Sequence, residues 1–270
     1  DRLAPEFKSG QRLLVIGGGY IGLEAAAVAA QKGLNVTLVE MAERILQRVA
    51  APQTAAYFRM LHQSHCVDVK EGVGLKRLKG KNAVVSSAVL SDGTELDVDF
   101  AIVGVGIYPV TDIAEAAGLV CSNGIEVDQM GKTSDPAIWA AGDCCSFPFN
   151  GGRLRLESVP HAIDQAEIIA QNILGARLLY NPKPWFWSDQ YDVKLQITGL
   201  SEGFNQVIAR QTNAKSVSFW YYKDDRLIAV DAMNDPRSYM VGKRLIEAGK
   251  TASAKCIADL SFDLKNLLRT

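Results

Sequence analysis

No apolar stretch in the 270-residue chain reaches the about 18 residues that a membrane-spanning helix needs. The first ten residues, DRLAPEFKSG, hold no apolar core of a signal peptide. Cysteine is sparse. Cys66, Cys121, Cys144, Cys145 and Cys256 form no Cys-x-x-Cys pair, no Cys-x4-Cys pair and no zinc-ligand spacing. An odd set without a framework fits a reducing, cytoplasmic setting, and the adjacent Cys144 and Cys145 read as small buried residues. Histidine is scarcer still. His62 and His65 lack a third ligand and His161 stands alone, so no metal site is expected. Formal net charge is −1, which excludes a global electrostatic case for nucleic acid or a membrane surface.

Hydrophobic residues make up 48% of the chain, enough for a folded core and too many for disorder. The first half alternates short apolar runs with helix-forming runs. Strands are expected at Leu13–Gly17, Val36–Glu40 and Phe100–Val105, the last fully apolar and suited to the middle of a parallel sheet. Helices are expected at Tyr20–Lys32, stopped by Gly33, and at Pro52–His65. Val84–Leu90 and Leu96–Asp99 flank the turn signal SDGT. A second block predicts a helix at Asp112–Ala117, strands at Ile125–Asp128 and Ile138–Ala141, and a helix at Ala162–Leu174. NPKPWFW at 181–187 breaks the pattern and marks a boundary. Strands near 193–198, 205–210, 216–222 and 227–232 follow, then a helix over Asp235–Ala248, which reads as a small α+β unit.

The stretch LLVIGGGYIGLEAA at 13–26 carries the chemistry. Gly17, Gly19 and Gly22 form Gly-x-Gly-x-x-Gly between a strand and a helix, and Glu40 closes the next strand. Gly17 permits the tight turn, Gly19 lets the backbone approach a pyrophosphate, and Gly22 lets helix and sheet pack closely. The helix N-terminus offers free N–H groups to phosphate. Glu40 can accept from ribose hydroxyls and repels a 2′-phosphate, which favours NAD over NADP; Arg44 weighs the other way. At 133–144, TSDPAIWAAGDC ends an apolar run in Gly142 and Asp143. That aspartate either meets a ligand hydroxyl or closes an ordinary Gly-Asp turn. Tyr239 and Lys243 give Tyr-x-x-x-Lys far from the glycine loop, a coincidence rather than a dehydrogenase pair.

The motifs VIGGGYIGLE, VGVGIYP, TSDPAIWAAGD, ESVPHAIDQA and PWFWSDQYDVKLQITGL together resemble the flavin-dependent NADH:ferredoxin reductases of the putidaredoxin and rhodocoxin reductase type. Val110 departs from that pattern, where asparagine is frequent. The resemblance implies an α/β fold: a Rossmann-type NAD-binding domain over 1–105, the second segment of an FAD-binding domain over 106–180, and an α+β C-terminal domain over 181–270. It also implies that the FAD domain's first segment is missing from this chain, leaving the FAD site incomplete. NAD would be held by Gly17, Gly19, Tyr20, Ile21, Gly22 and Glu40, with Gly106 near its nicotinamide end and Asp143 on the flavin side. Glu24 would approach the nicotinamide amide, and Trp187 would lie against the flavin or nicotinamide ring. The alternatives are a helix-surface charge for Glu24 and an interface-filling role for Trp187. The implied activity passes electrons from NADH through FAD to an iron–sulfur ferredoxin serving a P450 or dioxygenase. A fragment that binds NAD without flavin, and an NADH oxidase, remain the competing readings. Residues 1–180 carry 16 basic and 20 acidic side chains, and residues 181–270 carry 13 and 10, so the tail is mildly basic.

Overall fold

The structure, a computed structural model, describes residues 3–82 and 84–269. It divides into two compact units. The first comprises the chain up to Gly106 together with 187–197 and 201–270; the second comprises 107–186 and 198–200.

The first unit opens with β1 (Arg12–Ile16), α1 (Tyr20–Gln31), β2 (Asn35–Glu40), α2 (Pro52–Ser64), β3 (Asp68–Glu71), β4 (Leu75–Lys81), β5 (Val84–Leu90), β6 (Glu95–Asp97) and β7 (Phe100–Val103). Strands β3-β2-β1-β7 form a parallel sheet in that order, with Leu13 opposite both Val36 and Phe100. Strand β1 is apolar on both faces because both are covered. Leu13 and Val15 join Leu23, Ala26, Ala29 and Phe58 of α1 and α2 in one cluster. Leu14 and Ile16 point the other way, into a second cluster with Ala88, Leu90 and Val98, under the sheet β4-β5-β6. The expected strand through Val105 ends at Val103. It lies at the sheet's end instead of its middle, and Val103 and Val105 are exposed.

The second unit contains α3 (Asp112–Ala116), β8 (Ile125–Glu126), β9 (Cys145–Phe149), β10 (Gly152–Leu154) and α4 (Val159–Ile173). Its sheet runs β10-β9-β8. Ser158 caps α4 by accepting from the His161 amide, ahead of Pro160. Ile138–Ala141 is not a strand. Asp135 and Pro136 turn the chain, Thr133 N–H donates to Ile138 O, and only an isolated bridge joins Lys132 and Trp139. The buried strand begins after Gly-Asp, at Cys145, following a 3₁₀ turn over Gly142–Cys144.

The remaining strands are β11 (Trp185–Gln190), β12 (Val193–Gly199), β13 (Gln206–Asn213), β14 (Ser216–Lys223) and β15 (Arg226–Met233), in sheet order β11-β12-β15-β14-β13. The β14–β15 turn places Asp224 and Asp225 at φ of 48° and 62°, as a hairpin turn of matching twist requires. Asp235 caps α5 (Pro236–Glu247) through the Ser238 amide, and α6 (Ala254–Ala258) follows. These elements own one cluster around Trp220, Val230, Val241 and Leu245. They share another with the parallel sheet: Val193, Leu195 and Met233 pack with Leu13, Leu23 and Phe58. A buried polar group spans the same junction. Thr54 Oγ1 at the start of α2 donates to Asp231 Oδ2 (2.5 Å), as does Tyr221 OH (3.1 Å).

Candidate functional site

The loop joining β1 to α1 sits at the carboxyl ends of the parallel strands, where ligands bind in open α/β sheets. Gly17 has φ +106°, and its amide donates to Val39 O. A Cβ there would stand 2.3 Å from Gly104 O. A Cβ on Gly22 would stand 2.0 Å from Gly17 O, so helix and strand meet at a distance only glycine allows. Gly19 differs from both. It is the N-cap of α1, and no atom lies within 4 Å of the Cβ it lacks. The space beside it is open, as a backbone that must receive a phosphate requires. No side chain caps α1, and its first turn carries the positive end of the helix dipole.

Glu40, at the end of β2, is already committed to the loop. Its Oε2 accepts from the Gly18 amide (2.7 Å) and Oε1 from the Ala42 amide (2.8 Å). A carboxylate offers about four acceptor positions, so ribose hydroxyls can still add to these bonds. Gly18 has its own reason to be glycine: a Cβ would meet Ile45 Cγ2 at 2.7 Å. Arg44 turns inward, donating to the carbonyls of Ile45 and Gln47. Tyr20 sends its ring into the shared core, leaving Ile21 outside and exposed. Burial beside Asp231 raises the Tyr20 phenol well above its ordinary range.

Gly106 has φ +107°, and a Cβ there would lie 2.9 Å from an Arg48 guanidinium nitrogen. Arg48 gave no signal in the sequence, yet it lines this edge of the loop. Glu24, one turn into α1, is not a free surface charge. Its Oε1 accepts from Ser188 Oγ at 2.6 Å. Ser188 and Gln190 occupy one face of β11, and Trp187 takes the other, half-buried. The structure therefore puts Glu24 beside the residue that follows Trp187 in the chain. Ser188 was missed because serine in a strand has no distinguishing spacing.

Asp143 belongs to the second unit. Its side chain is exposed, its carbonyl accepts from Arg155 (3.1 Å), and Gly142 beside it has φ +80° and donates to Gln165 Oε1. Cys145 Sγ lies against the same amide oxygen, and burial pushes its thiol up to about 12, too high for a redox thiolate. Among the described residues all cysteines are free and no cluster has a metal-binding arrangement. No helix among them is long and apolar enough to cross a membrane.

The donor set fits a dinucleotide: open backbone at Gly19, a helix N-terminus without a side-chain cap, and a carboxylate fixed at the end of the second strand. The pyridine nucleotide-disulphide oxidoreductase family profile matches residues 1–166, and the reductase C-terminal profile matches residues 185–268. A ferredoxin–NAD(P)(+) reductase of Sphingomonas sp is 42% identical over 273 residues, covering 99% of this chain and 66% of that protein. Putidaredoxin reductase of Pseudomonas putida is 39% identical over 262 residues, covering 95% of this chain and 62% of that protein. The solved ferredoxin reductase for the CYP199A2 system from Rhodopseudomonas palustris superposes with a TM-score of 0.94 at 41% identity, covering 98% of this chain and 66% of that one. The chain thus spans just under two thirds of the length of the relatives it matches.

Proposed function

The chain belongs to the pyridine nucleotide-disulphide oxidoreductase family, and on that premise we propose that it is the nicotinamide-binding part of an NADH-dependent, FAD-containing reductase of an iron–sulfur ferredoxin. The observation that carries this reading is the Gly17–Glu40 loop in a chain whose C-terminal portion matches the reductase C-terminal family. That second match favours a ferredoxin reductase over an NADH oxidase. The relatives' names, ferredoxin reductase and putidaredoxin reductase, supply the partner class. Free cysteines without a pairing framework support a cytoplasmic setting.

In this proposal Gly17, Gly19, Tyr20, Ile21 and Gly22 receive the pyrophosphate through backbone amides, and Glu40 accepts from the ribose. Gly106 passes the nicotinamide end, Glu24 accepts from its carboxamide, and Trp187 covers the reacting rings. Asp143 contributes to the flavin side. Bound together, nicotinamide and flavin supply hydride transfer and its division into single electrons; the protein's part is to hold and align them. The segments 1–105, 106–180 and 181–270 are proposed as the NAD-binding, flavin-side and C-terminal portions. The test is anaerobic addition of NADH to FAD-loaded protein, followed by visible absorbance. Rapid loss of the flavin bands supports the reading, and bands that persist under excess NADH overturn it.

A further inference from the structure

Behind Glu24 runs a file of buried polar side chains that the reaction as described does not use. Ser188 Oγ donates to Glu24 Oε1 (2.6 Å), and Gln190 Nε2 donates to Ser188 Oγ (3.1 Å). His62 Nε2 lies 2.8 Å from Gln190 Oε1, and Tyr191 OH lies 3.0 Å from His62 Nδ1. The Tyr191 ring stacks on His65 with centroids 3.7 Å apart. Ser188, Gln190 and His62 are all fully buried. These side chains come from α1, from α2 and its C-cap, and from β11 and the turn that follows it, which meet only in the folded chain.

The protons in this file have one consistent order. The Ser188 hydroxyl has a single proton, and Glu24 takes it. Ser188 oxygen must then accept, so Gln190 faces it with its NH₂ group. Gln190 oxygen therefore faces His62, whose Nε2 must carry the proton. His62 Nδ1 is left as an acceptor, and Tyr191 donates to it. Turning the Gln190 amide over would set two acceptors against one serine proton, losing a bond inside a dry interior. Burial holds the His62 imidazole neutral, pushed down to about 4. Four bonds thus point one way, each reinforcing the next, and end on the carboxylate.

We propose that Ser188, Gln190, His62 and Tyr191 are positioning residues that fix the Glu24 carboxylate for the nicotinamide carboxamide. The proposal rests on the reading of Glu24 given above. One carboxylate oxygen is held by Ser188, which leaves Oε2 to accept from the carboxamide N–H. The file sets how nicotinamide is oriented, and leaves the adenine end of the nucleotide untouched.

The test uses the 270-residue chain, with NADH and ADP-ribose titrated in parallel. ADP-ribose needs only the glycine loop and Glu40. Gln190→Glu keeps the side chain's shape and reverses its polarity, because a carboxylate can take the Ser188 proton away from Glu24. Gln190→Glu and Ser188→Ala are each expected to weaken NADH three- to tenfold with ADP-ribose unchanged. Gln190→Glu should add no further loss in a Glu24→Gln background. Nitrogen-15 spectra of the unmutated chain near pH 7 should show His62 neutral and protonated at Nε2. If Glu24→Gln leaves NADH binding as it was, the reading of Glu24 falls and the proposal with it. If Glu24→Gln weakens NADH while Gln190→Glu binds both ligands normally, that reading stands and the positioning file is refuted. His62 protonated at Nδ1 would refute the order of the bonds directly.

Discussion

Glu40 holds the Gly18 and Ala42 amides and, in the proposed complex, the ribose as well. Glu40→Ala should therefore do more than blur the choice of nucleotide. The preference for NADH over NADPH should narrow by on the order of 1–3 kcal/mol, the worth of hydrogen bonds to a charged group, and the loop itself should loosen. Calorimetric titration with both nucleotides checks this; equal affinities in the unmutated chain would contradict it. Two other buried residues carry opposed pH dependences. His62 titrates at an ordinary 6.5 when unfolded and about 4 when folded. As pH falls the unfolded chain takes up that proton first, so stability is full above 6.5 and is lost toward 4, by roughly 3 kcal/mol. Burial pushes the Asp231 carboxyl up from 3.8 to about 6. Here the folded chain holds the proton, and stability present at low pH is lost as pH rises through about 6, again by roughly 3 kcal/mol. The two nearly cancel between them. Asp231→Asn removes one, so the variant's stability in chemical denaturation should climb from pH 4.5 to 6.5 more steeply than the native chain's. Parallel profiles would show that Asp231 is not the counterweight.

At the level of elements, the β1–α1 join separates two uses of glycine. Gly22→Ala puts a methyl 2.0 Å from Gly17 O, and should destabilise the fold by about 1–3 kcal/mol through overpacking. Gly19→Ala meets nothing and has an ordinary φ of −78°, so stability should hold while NADH affinity drops at least tenfold. Denaturation midpoints and nucleotide titrations on the pair check both halves, and a Gly19→Ala chain with native affinity would contradict the phosphate-facing role. This join was readable in advance because a strand, a glycine loop and a helix are all local patterns: β1, α1 and β2 fall within a residue of the expected bounds. Strands β3 and β4 were not read. DVKE is charged and half-buried, LKRLKGK is charged and largely exposed, and they are strands because β2 and β5 pair with them. Ile138–Ala141 misled in the opposite sense, since a short apolar run before Gly-Asp is equally compatible with a loop packed on one side. The Ser188 contact with Glu24 spans 164 residues and that of His62 with Gln190 spans 128, and no spacing rule reaches so far.

For the molecule as a whole, the shared cluster of Leu13, Leu23, Phe58, Leu195 and Met233 means that the nucleotide-binding sheet and the C-terminal sheet stand or fall together within the first unit. A change at one can therefore register at the other as lost stability, which is why each binding prediction above is paired with a ligand or variant that isolates it. The mildly basic residues 181–270 should steer an acidic ferredoxin through long-range attraction, acting on the rate of encounter more than on final affinity. That partner is the centre of the account, and one measurement addresses it most directly. FAD-loaded protein is mixed anaerobically with NADH and an iron–sulfur ferredoxin in a stopped-flow instrument, and the ferredoxin's visible absorbance is followed as salt is raised from low to physiological strength. The account predicts that the ferredoxin is reduced only when protein and NADH are both present, and more slowly as salt screens the charges. A flavin that NADH reduces while the ferredoxin stays oxidised at every salt concentration would contradict it.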